Sequence, residues 1–146
     1  RVDEYYYDSR REGSSRTDEE HYLGLEQLAG HHAVRQVTVD PSAASFIEVI
    51  RRHGRFVVIP AKNDVTDGIR AVGVALKEGR IRVCKCCIDC IREFSLYRWN
   101  ENSAQEIPIK ENDHAMDDLR YFVTTILQEG DAGFFAVAAP RREGYS

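Results

Sequence analysis

The segment that most constrains the fold of this chain is an apolar run with helical spacing near its C-terminal end. Its apolar positions are Ala115, Met116, Leu119, Phe122, Val123, Ile126 and Leu127. They share one arc of a helix, so that arc must be buried. Asp113 and Asp117 lie one turn apart along the other face, with His114 beside them. Clustered acids on a buried helix are costly unless a cation offsets their repulsion.

Two interpretations of this helix are equally supported by the segment alone. Clustered carboxylates suit hard divalent cations such as magnesium or manganese. Alternatively, Asn112 or Asp113 is the N-cap, and the acids of the first turn complement the helix dipole. The choice between the two interpretations needs evidence from another part of the chain.

A further acid lies at the end of a predicted strand, Val34–Val39. Asp40 follows that strand directly, and Pro41 prevents the regular ladder from continuing. Acids at strand ends of open α/β sheets lie where sites form. Asp40 could instead cap the helix that begins near Ala43, the commoner role of Asp-Pro-Ser. A strand-end Asp combined with the helical acid pair is the arrangement that a two-metal nuclease needs, with cations roughly 3.5–4 Å apart.

Several segments follow one another in a distinctive order. They are Asp3–Arg10, Thr17–Glu20, Val39–Ile47, Asn63–Arg70, Glu93–Phe94 with Tyr97 and Trp99, and Pro108–Tyr121. This series closely resembles the C-terminal nuclease domain of the large terminase subunit of tailed bacteriophages and prophages, over about Asp3 to Leu127. The resemblance implies an α/β fold with a ribonuclease H-like mixed sheet flanked by helices. It also implies a metal-dependent endonuclease that cuts concatemeric double-stranded DNA during genome packaging.

The resemblance assigns roles to the candidate site residues. Asp40 matches the family's strand-end metal-binding acid, and Asp117 matches the acid on the last helix. His114 matches a neighbour that helps to shape the metal site, so the expected catalytic residues are Asp40, Asp117 and His114. Asp113 matches the first acid of the helical motif and joins the expected metal-binding set, with a lower rank as a cap or outer group. The implied cofactors are two divalent cations, Mg²⁺ or Mn²⁺.

The sequence departs from the family pattern at its N-terminal end. The family begins with a strand that carries another metal-binding Asp, whereas this chain begins at Arg1, directly in the expected second strand, Val2–Tyr7. We therefore expect the first strand to be lacking, one metal at most to bind weakly, and nuclease activity to be low. The strand Val34–Val39 would have an unpaired edge, which Val2–Tyr7 or a second copy in a homodimer could fill. The alternative function is a catalytically silent binding or assembly module of the packaging motor.

The partners implied by the resemblance are double-stranded DNA, the terminase ATPase domain, the small terminase subunit and the portal. A formal net charge of −4 is weak evidence against DNA binding, because a basic footprint usually supplies non-specific affinity. The sequence has no membrane-spanning apolar run and no signal-peptide pattern, so we expect a viral or prophage protein in the host bacterial cytoplasm. It also lacks the GxxxxGK phosphate loop, so an ATP-hydrolysing half is not expected within it.

Strands and helices alternate along the chain, as in an α/β domain. Residues 1–129 are predicted to form the nuclease domain. Residues 130–146 mix Gly, Ala and Arg without periodicity and are predicted to be a tail or linker. The predicted strands are Val2–Tyr7, Val34–Val39, Arg55–Pro60 and Arg80–Cys84. The apolar run Phe56–Ile59 is predicted to be buried on both faces of the sheet. The predicted helices end near Ala29, His53, Gly79, Tyr97 and Gln128, and the first begins with a capping box of Thr17 and Glu20.

The four cysteines, Cys84, Cys86, Cys87 and Cys90, lie within seven residues. They offer enough thiolates for a tetrahedral zinc site, but structural zinc sites normally draw two pairs from separated segments. In a strand followed by a helix, Cys87 and Cys90 share a face while the other two point elsewhere. The favoured interpretation is buried small apolar side chains with one or two exposed thiols.

Overall fold

The computed structural model describes residues 1, 3–105 and 108–127 in full, and the backbone alone of residues 134–138. Within these residues, helices alternate with strands of one sheet. The helices are α1 (Ser9–Glu12), α2 (Asp18–Ala29), α3 (Ala44–His53), α4 (Val65–Lys77), α5 (Ile88–Leu96) and α6 (His114–Thr125). The strands are β1 (Val34–Val39), β2 (Val58–Pro60) and β3 (Phe134–Ala138). The chain therefore has an α/β fold built on a small sheet.

β1 lies in the centre of the described sheet, between β2 and β3, and runs parallel to both. Val37 of β1 lies opposite Val58 of β2 and Ala136 of β3. The sequence predicts a mixed sheet, whereas the three described strands are all parallel. The reason is that helices connect these strands, and such crossover connections return the chain in the same direction. The carboxyl ends of the strands therefore meet at one edge of the sheet.

The expected vacancy beside β1 is filled from within the chain. β3 occupies residues 134–138 of the segment 130–146, which the sequence predicts to be a tail or linker. That prediction is wrong for β3, and the rest of residues 130–146 lies outside the described residues. Pairing on both sides leaves β1 no open edge for Val2–Tyr7 or for a second copy of the chain.

The predicted strand Val2–Tyr7 is not a strand in the structure. Residues 3–7 are irregular, and Val2 lies outside the described residues. The polar side chains of this segment bind helices instead of placing the backbone in a ladder. Glu4 accepts N–H groups from the start of α5, and the Tyr6 hydroxyl donates to Glu93.

The other two strand predictions are wrong in part or whole. Arg80–Cys84 is irregular, and its Cys84 N–H bonds to the carbonyl of Arg1 rather than to a strand. β2 is shorter than predicted, and Val57 is 61% exposed rather than buried on both faces. The physical reason is that β2 lies at the edge of the described sheet, where one side is open.

The helix signals in the sequence are confirmed. The Thr17 hydroxyl accepts the Glu20 N–H at 3.2 Å, and the Glu20 carboxylate accepts the Thr17 N–H at 2.7 Å, so the capping box is complete. Asp64 caps α4 by accepting the Asp67 N–H. α3 ends at Gly54, whose φ of 71° lies in the left-handed region that favours glycine.

The helices pack into two apolar clusters, one on each side of the chain's midpoint. The first cluster joins α2, β1 and α3, and the second joins α4, α5 and α6. The predicted apolar arc of α6 is confirmed, and its fully buried members are Ala115, Met116, Leu119, Val123 and Ile126. α6 also contacts β1 and β3, so it lies between the second cluster and the sheet.

α4 and α6 approach each other closely at Gly68. A Cβ atom built on Gly68 would lie 2.6 Å from Cγ and 2.9 Å from Cδ of Arg120. The Arg120 side chain is buried, and its guanidinium is held at its far end by other groups. The aliphatic part of Arg120 therefore has little freedom to move away from an added methyl group.

We predict that Gly68→Ala lowers the free energy of unfolding by about 1–3 kcal/mol, because the new methyl group overlaps Arg120. Urea unfolding of the purified chain measures this change. Gly73→Ala in the same helix is the matched control, because a Cβ there meets nothing within 4 Å. That control should be neutral or stabilising by up to about 1 kcal/mol. Equal effects of the two substitutions would contradict the close approach at Arg120.

Candidate functional site

Asp40 lies at the carboxyl end of the central strand β1, and its side chain is buried. Its Oδ1 accepts the Ser42 N–H at 2.8 Å, and its Oδ2 accepts the hydroxyl proton of Tyr121 from α6. The N-cap position of α3 is Ala43, which makes no side-chain cap hydrogen bond. Asp40 therefore shapes the turn after β1 and joins α6, rather than capping α3 with its side chain.

Asp117 lies in the first part of α6 and is paired with a buried arginine. Nη2 of Arg120 lies 2.8 Å from Asp117 Oδ1, and Nη1 of the same guanidinium donates to Asn63 Oδ1 at 2.8 Å. Arg120 is only 2% exposed, so this pair is shielded from solvent and from salt. The arginine fixes one oxygen of the Asp117 carboxylate in place.

Tyr121 of α6 lies one turn after Asp117 and donates its hydroxyl proton to Asp40 at the end of β1. Burial raises the pKa of Tyr121, and the hydrogen bond to Asp40 and the charges of Asp117 and Asp40 raise it further. The negative charges of Asp40 and Asp117 thus both raise the pKa of the Tyr121 hydroxyl. Asp117 and Tyr121 lie one turn apart on α6 and so share one face of that helix.

Asp113 lies one turn before Asp117 and is also buried. Its Oδ2 lies 3.6 Å from Lys110 Nζ. Burial raises the pKa of Tyr97 to about 12, with the charges of Asp117 and Asp113 adding to the effect. Asp113 is the N-cap residue of α6, as one interpretation of the sequence predicts, but its side chain makes no cap hydrogen bond.

His114 points toward the N-terminal segment. Its ring centroid lies 6.3 Å from that of Tyr6, with the rings tilted at 57°. Within the described part of the chain, no three His, Cys, Asp or Glu side chains form a group that could hold a metal ion. The structure joins Asp40 to Tyr121, pairs Asp117 with Arg120 and Asp113 with Lys110, and places His114 near Tyr6.

The donor set fits one hard divalent cation. Carboxylate oxygens are the ligands that Mg²⁺ and Mn²⁺ prefer, and each oxygen has two lone pairs. Tyr121 and Ser42 use one lone pair on each Asp40 oxygen, and Arg120 occupies one Asp117 oxygen. Both carboxylates therefore have hydrogen-bond donors within the protein. Two side-chain carboxylates are too few for a dinuclear centre, so a bound cation would take its remaining ligands from water or substrate.

Two carboxylates that sequence reasoning missed hold the starts of α5 and α6. Glu93, which is fully buried, accepts N–H groups of Ala115 and Met116 at the start of α6. Glu4 does the same for α5. A signal for Glu93 is present in the sequence, because Glu93 lies three residues after buried Cys90 on the inner arc of α5. A glutamate on such an arc must have buried partners.

The cysteines are arranged as the favoured interpretation predicts. Cys87 and Cys90 are buried, and Cys84 and Cys86 are exposed. Burial raises the pKa of Cys90 to about 11, so this thiol stays protonated at neutral pH. Cys87 and Cys90 act as small apolar groups in the cluster of α4, α5 and α6.

The fold and the site together define an α/β domain with buried acids beyond the carboxyl end of its central parallel strand. No protein-family model matches the chain. The chain is 25% identical to the large terminase subunit of Escherichia phage T5 over 131 residues, which cover 86% of this chain and 30% of that protein. No helix in the described residues is long and apolar enough to cross a membrane.

Solved structures of a second large terminase, from a thermophilic bacteriophage, are more similar. The complex of that terminase with ADP matches with a TM-score of 0.82 and 46% identity, over 86% of this chain and 32% of that one. The same protein in complex with ATP-γ-S matches with a TM-score of 0.82 and 46% identity, over 33% of its length. The chain is therefore homologous to a part of phage large terminases and spans about a third of their length.

We predict that Tyr121→Phe lowers the free energy of unfolding by about 1–3 kcal/mol, because buried Asp40 loses a hydrogen-bond donor. Urea unfolding at neutral pH with a chelator measures the change. Tyr97→Phe is the matched control, since no described hydrogen bond reaches the Tyr97 hydroxyl. It should change the stability by less than about 0.5 kcal/mol. A Tyr121→Phe variant as stable as this control would contradict the bond to Asp40.

The stability of the chain should also fall as the pH rises through the range in which Asp118 ionises. Burial raises the pKa of Asp118 from 3.8 to about 7, while the charge of Arg1 opposes the shift and that of Asp117 adds to it. The unfolded chain loses this proton near pH 4, so above that pH the folded state binds more protons. The stabilising contribution is complete below about pH 4 and is lost by about pH 7, at most about 4 kcal/mol.

Asp118→Asn should flatten this fall, because the amide does not titrate. Urea unfolding at pH 4.5 and pH 7.5, with a chelator, should give a smaller pH effect for Asp118→Asn than for the wild type. Asp67→Asn, at an acid with a 79% exposed side chain, is the control and should keep the wild-type pH effect. Identical pH effects in the wild type and Asp118→Asn would contradict the raised pKa.

Proposed function

We propose that this chain is the ribonuclease H-like endonuclease domain of a phage DNA-packaging terminase large subunit. Its reaction would be hydrolysis of phosphodiester bonds in concatemeric double-stranded DNA. The single observation that supports the proposal is the hydrogen bond between Asp40, at the carboxyl end of the central strand, and Tyr121, which lies one turn after Asp117 on α6. The 46% identity to part of a large terminase supports the same assignment.

In this proposal Asp40 and Asp117 are the main ligands of Mg²⁺ or Mn²⁺, and Asp113 contributes from the preceding turn. A bound divalent cation polarises a phosphoryl oxygen and lowers the pKa of bound water. The chain's own residues hold the ligands in place. Tyr121 orients the Asp40 carboxylate, and Arg120 orients the Asp117 carboxylate. His114, expected to be catalytic, lies near the start of the same helix.

Arg120 also lowers the cost of placing two acids close together. Its buried guanidinium contributes a positive charge beside Asp117, and Asn63 holds that charge in position. A cation at this site would therefore meet carboxylates that are already ordered. Ordered ligands lose less conformational entropy on binding, which strengthens affinity.

The second candidate function is a catalytically silent binding or assembly module. One observation favours it: Arg120 already compensates the charge of Asp117 without a metal. In this version the acids are structural, and the domain contacts other parts of a packaging motor.

The proposed partners are common to both functions. They are double-stranded DNA, a terminase ATPase domain, the small terminase subunit and the portal, in the cytoplasm of an infected bacterium. The relatives from phage T5 and from the thermophilic bacteriophage, both named large terminase, support this setting.

We predict that Asp40→Asn and Asp117→Asn each weaken Mn²⁺ binding at least tenfold, because each removes a charged oxygen ligand. Isothermal titration calorimetry of the 146-residue chain with MnCl₂ measures the affinity. Asp67→Asn is the matched control, because it removes an acid whose side chain is 79% exposed. Its affinity should equal that of the wild type. Unchanged Mn²⁺ affinity in both site variants would overturn the metal-site assignment.

Incubation with supercoiled plasmid and MnCl₂ separates the two functions. Nicking or linearisation that Asp40→Asn abolishes supports the endonuclease. DNA binding without any cutting by the wild-type chain supports the silent module instead.

A further inference from the structure

The first turn of α6 is held by a carboxylate from another helix. Glu93 of α5 is 0% exposed, and its Oε2 accepts the Ala115 N–H at 2.7 Å and the Met116 N–H at 3.3 Å. These N–H groups lie at the start of α6 and have no partners within the helix. Asp113, at the N-cap position, does not bind them with its side chain. Glu93 therefore supplies the cap that the local sequence lacks.

The other Glu93 oxygen is fixed by the N-terminal segment. The Tyr6 hydroxyl donates to Glu93 Oε1 at 2.8 Å, and Nη2 of Arg92 donates to the Tyr6 oxygen at 3.1 Å. Nη1 of the same arginine donates to Oδ1 of Asn112 at 3.0 Å. Asn112 has a φ of 51°, in the left-handed region, at the entry to α6. One network thus holds both Glu93 and the backbone that leads into the helix.

The residues fixed in this way carry the candidate metal ligands. Asp113 precedes the two capped N–H groups, and Asp117 follows them directly. Asp113 and Asp117 can point toward the end of β1 only if the first turn of α6 starts at the right place and in the right direction. The Glu93 charge is tolerated so close to them because the N–H groups and the helix dipole stabilise it.

We propose that Glu93 is a positioning residue for the divalent-cation site of Asp40 and Asp117. It touches neither the metal nor the DNA and acts by setting the first turn of α6. This inference rests on the proposed function, because it needs a cation to bind at Asp117.

The structure contains a matched control for the cap itself. Glu4 accepts the Asp89 N–H at 2.8 Å and the Cys90 N–H at 3.2 Å, so it caps α5 as Glu93 caps α6. α5 contains none of the candidate metal ligands, and Glu93 lies about one turn beyond the Asp89 and Cys90 N–H groups that Glu4 binds. Loss of Glu4 should therefore lower stability, as loss of any cap does, without changing the affinity for a metal.

The experiment compares Glu93→Ala, Glu93→Gln and Glu4→Ala by calorimetry with MnCl₂, at a temperature where circular dichroism shows each variant folded. Glu93→Ala should weaken Mn²⁺ binding about tenfold or more, as loss of groups that orient metal ligands does. Glu93→Gln keeps an oxygen for the Ala115 N–H and should restore the affinity to within about threefold of the wild type. Glu4→Ala should retain the wild-type affinity despite a lower melting temperature.

Equal weakening by Glu93→Ala and Glu4→Ala, or wild-type affinity in Glu93→Ala, would overturn the positioning role. Amide hydrogen exchange at Ala115 and Met116 is measured on the same samples and does not depend on metal. It should be faster in Glu93→Ala than in Glu4→Ala, and equal rates would overturn the proposal. A wild-type chain that binds no Mn²⁺ would overturn the proposed function and, with it, the positioning role, even where the exchange rates show the cap intact.

Discussion

The hydrogen bond from Tyr121 to Asp40 joins the two halves of this chain at the point where the sheet ends. Asp40 belongs to the half that contains α2, β1 and α3, and Tyr121 belongs to the half that packs α4, α5 and α6 together. A second link lies nearby, because the Lys62 N–H donates to Thr125 Oγ1 at 3.1 Å. These bonds place α6 beside the carboxyl ends of β1 and β2, which brings its acids to the sheet edge.

The buried and partly buried acids of this site have donors within the protein. Asp40 accepts hydrogen bonds from the Tyr121 hydroxyl and the Ser42 N–H, and Asp117 accepts one from Arg120. Glu93 accepts hydrogen bonds from two backbone N–H groups. The sequence predicts that a cation must offset the repulsion on α6, but these donors offset much of it within the protein. Metal binding would then use acids that the fold has already ordered. Asp118 is only partly satisfied: its Oδ2 accepts from Arg1 at 3.4 Å, its buried Oδ1 has no hydrogen-bond partner among the described residues, and burial raises its pKa to about 7.

Short sequence patterns predict the elements of this fold that depend on interactions between residues close together in the chain. The capping box of Thr17 and Glu20, the strand Val34–Val39 and the apolar arc of α6 are examples, because each depends on residues a few positions apart. Long-range pairing could not be predicted in this way. Glu93 caps a helix that begins about twenty residues later, and the partner of Asp40 is Tyr121. The strand prediction for Val2–Tyr7 is wrong because Glu4 and Tyr6 form hydrogen bonds to α5. The alternation of residue types within Val2–Tyr7 carries no information about these distant partners. Spacing and family resemblance predict the candidate acids. They do not predict that Arg120 and Tyr121 donate hydrogen bonds to these acids.

The central claim is that Asp40 and Asp117 converge on one divalent cation at the edge of the sheet. A crystal structure of the chain grown with MnCl₂, with anomalous data collected near the manganese absorption edge, tests it most directly. The account predicts an anomalous peak with oxygens of both carboxylates at roughly 2.0–2.6 Å, the range of bonds between hard cations and oxygen. A map in which manganese binds elsewhere, or in which the two carboxylates point to opposite faces of the sheet, would contradict it.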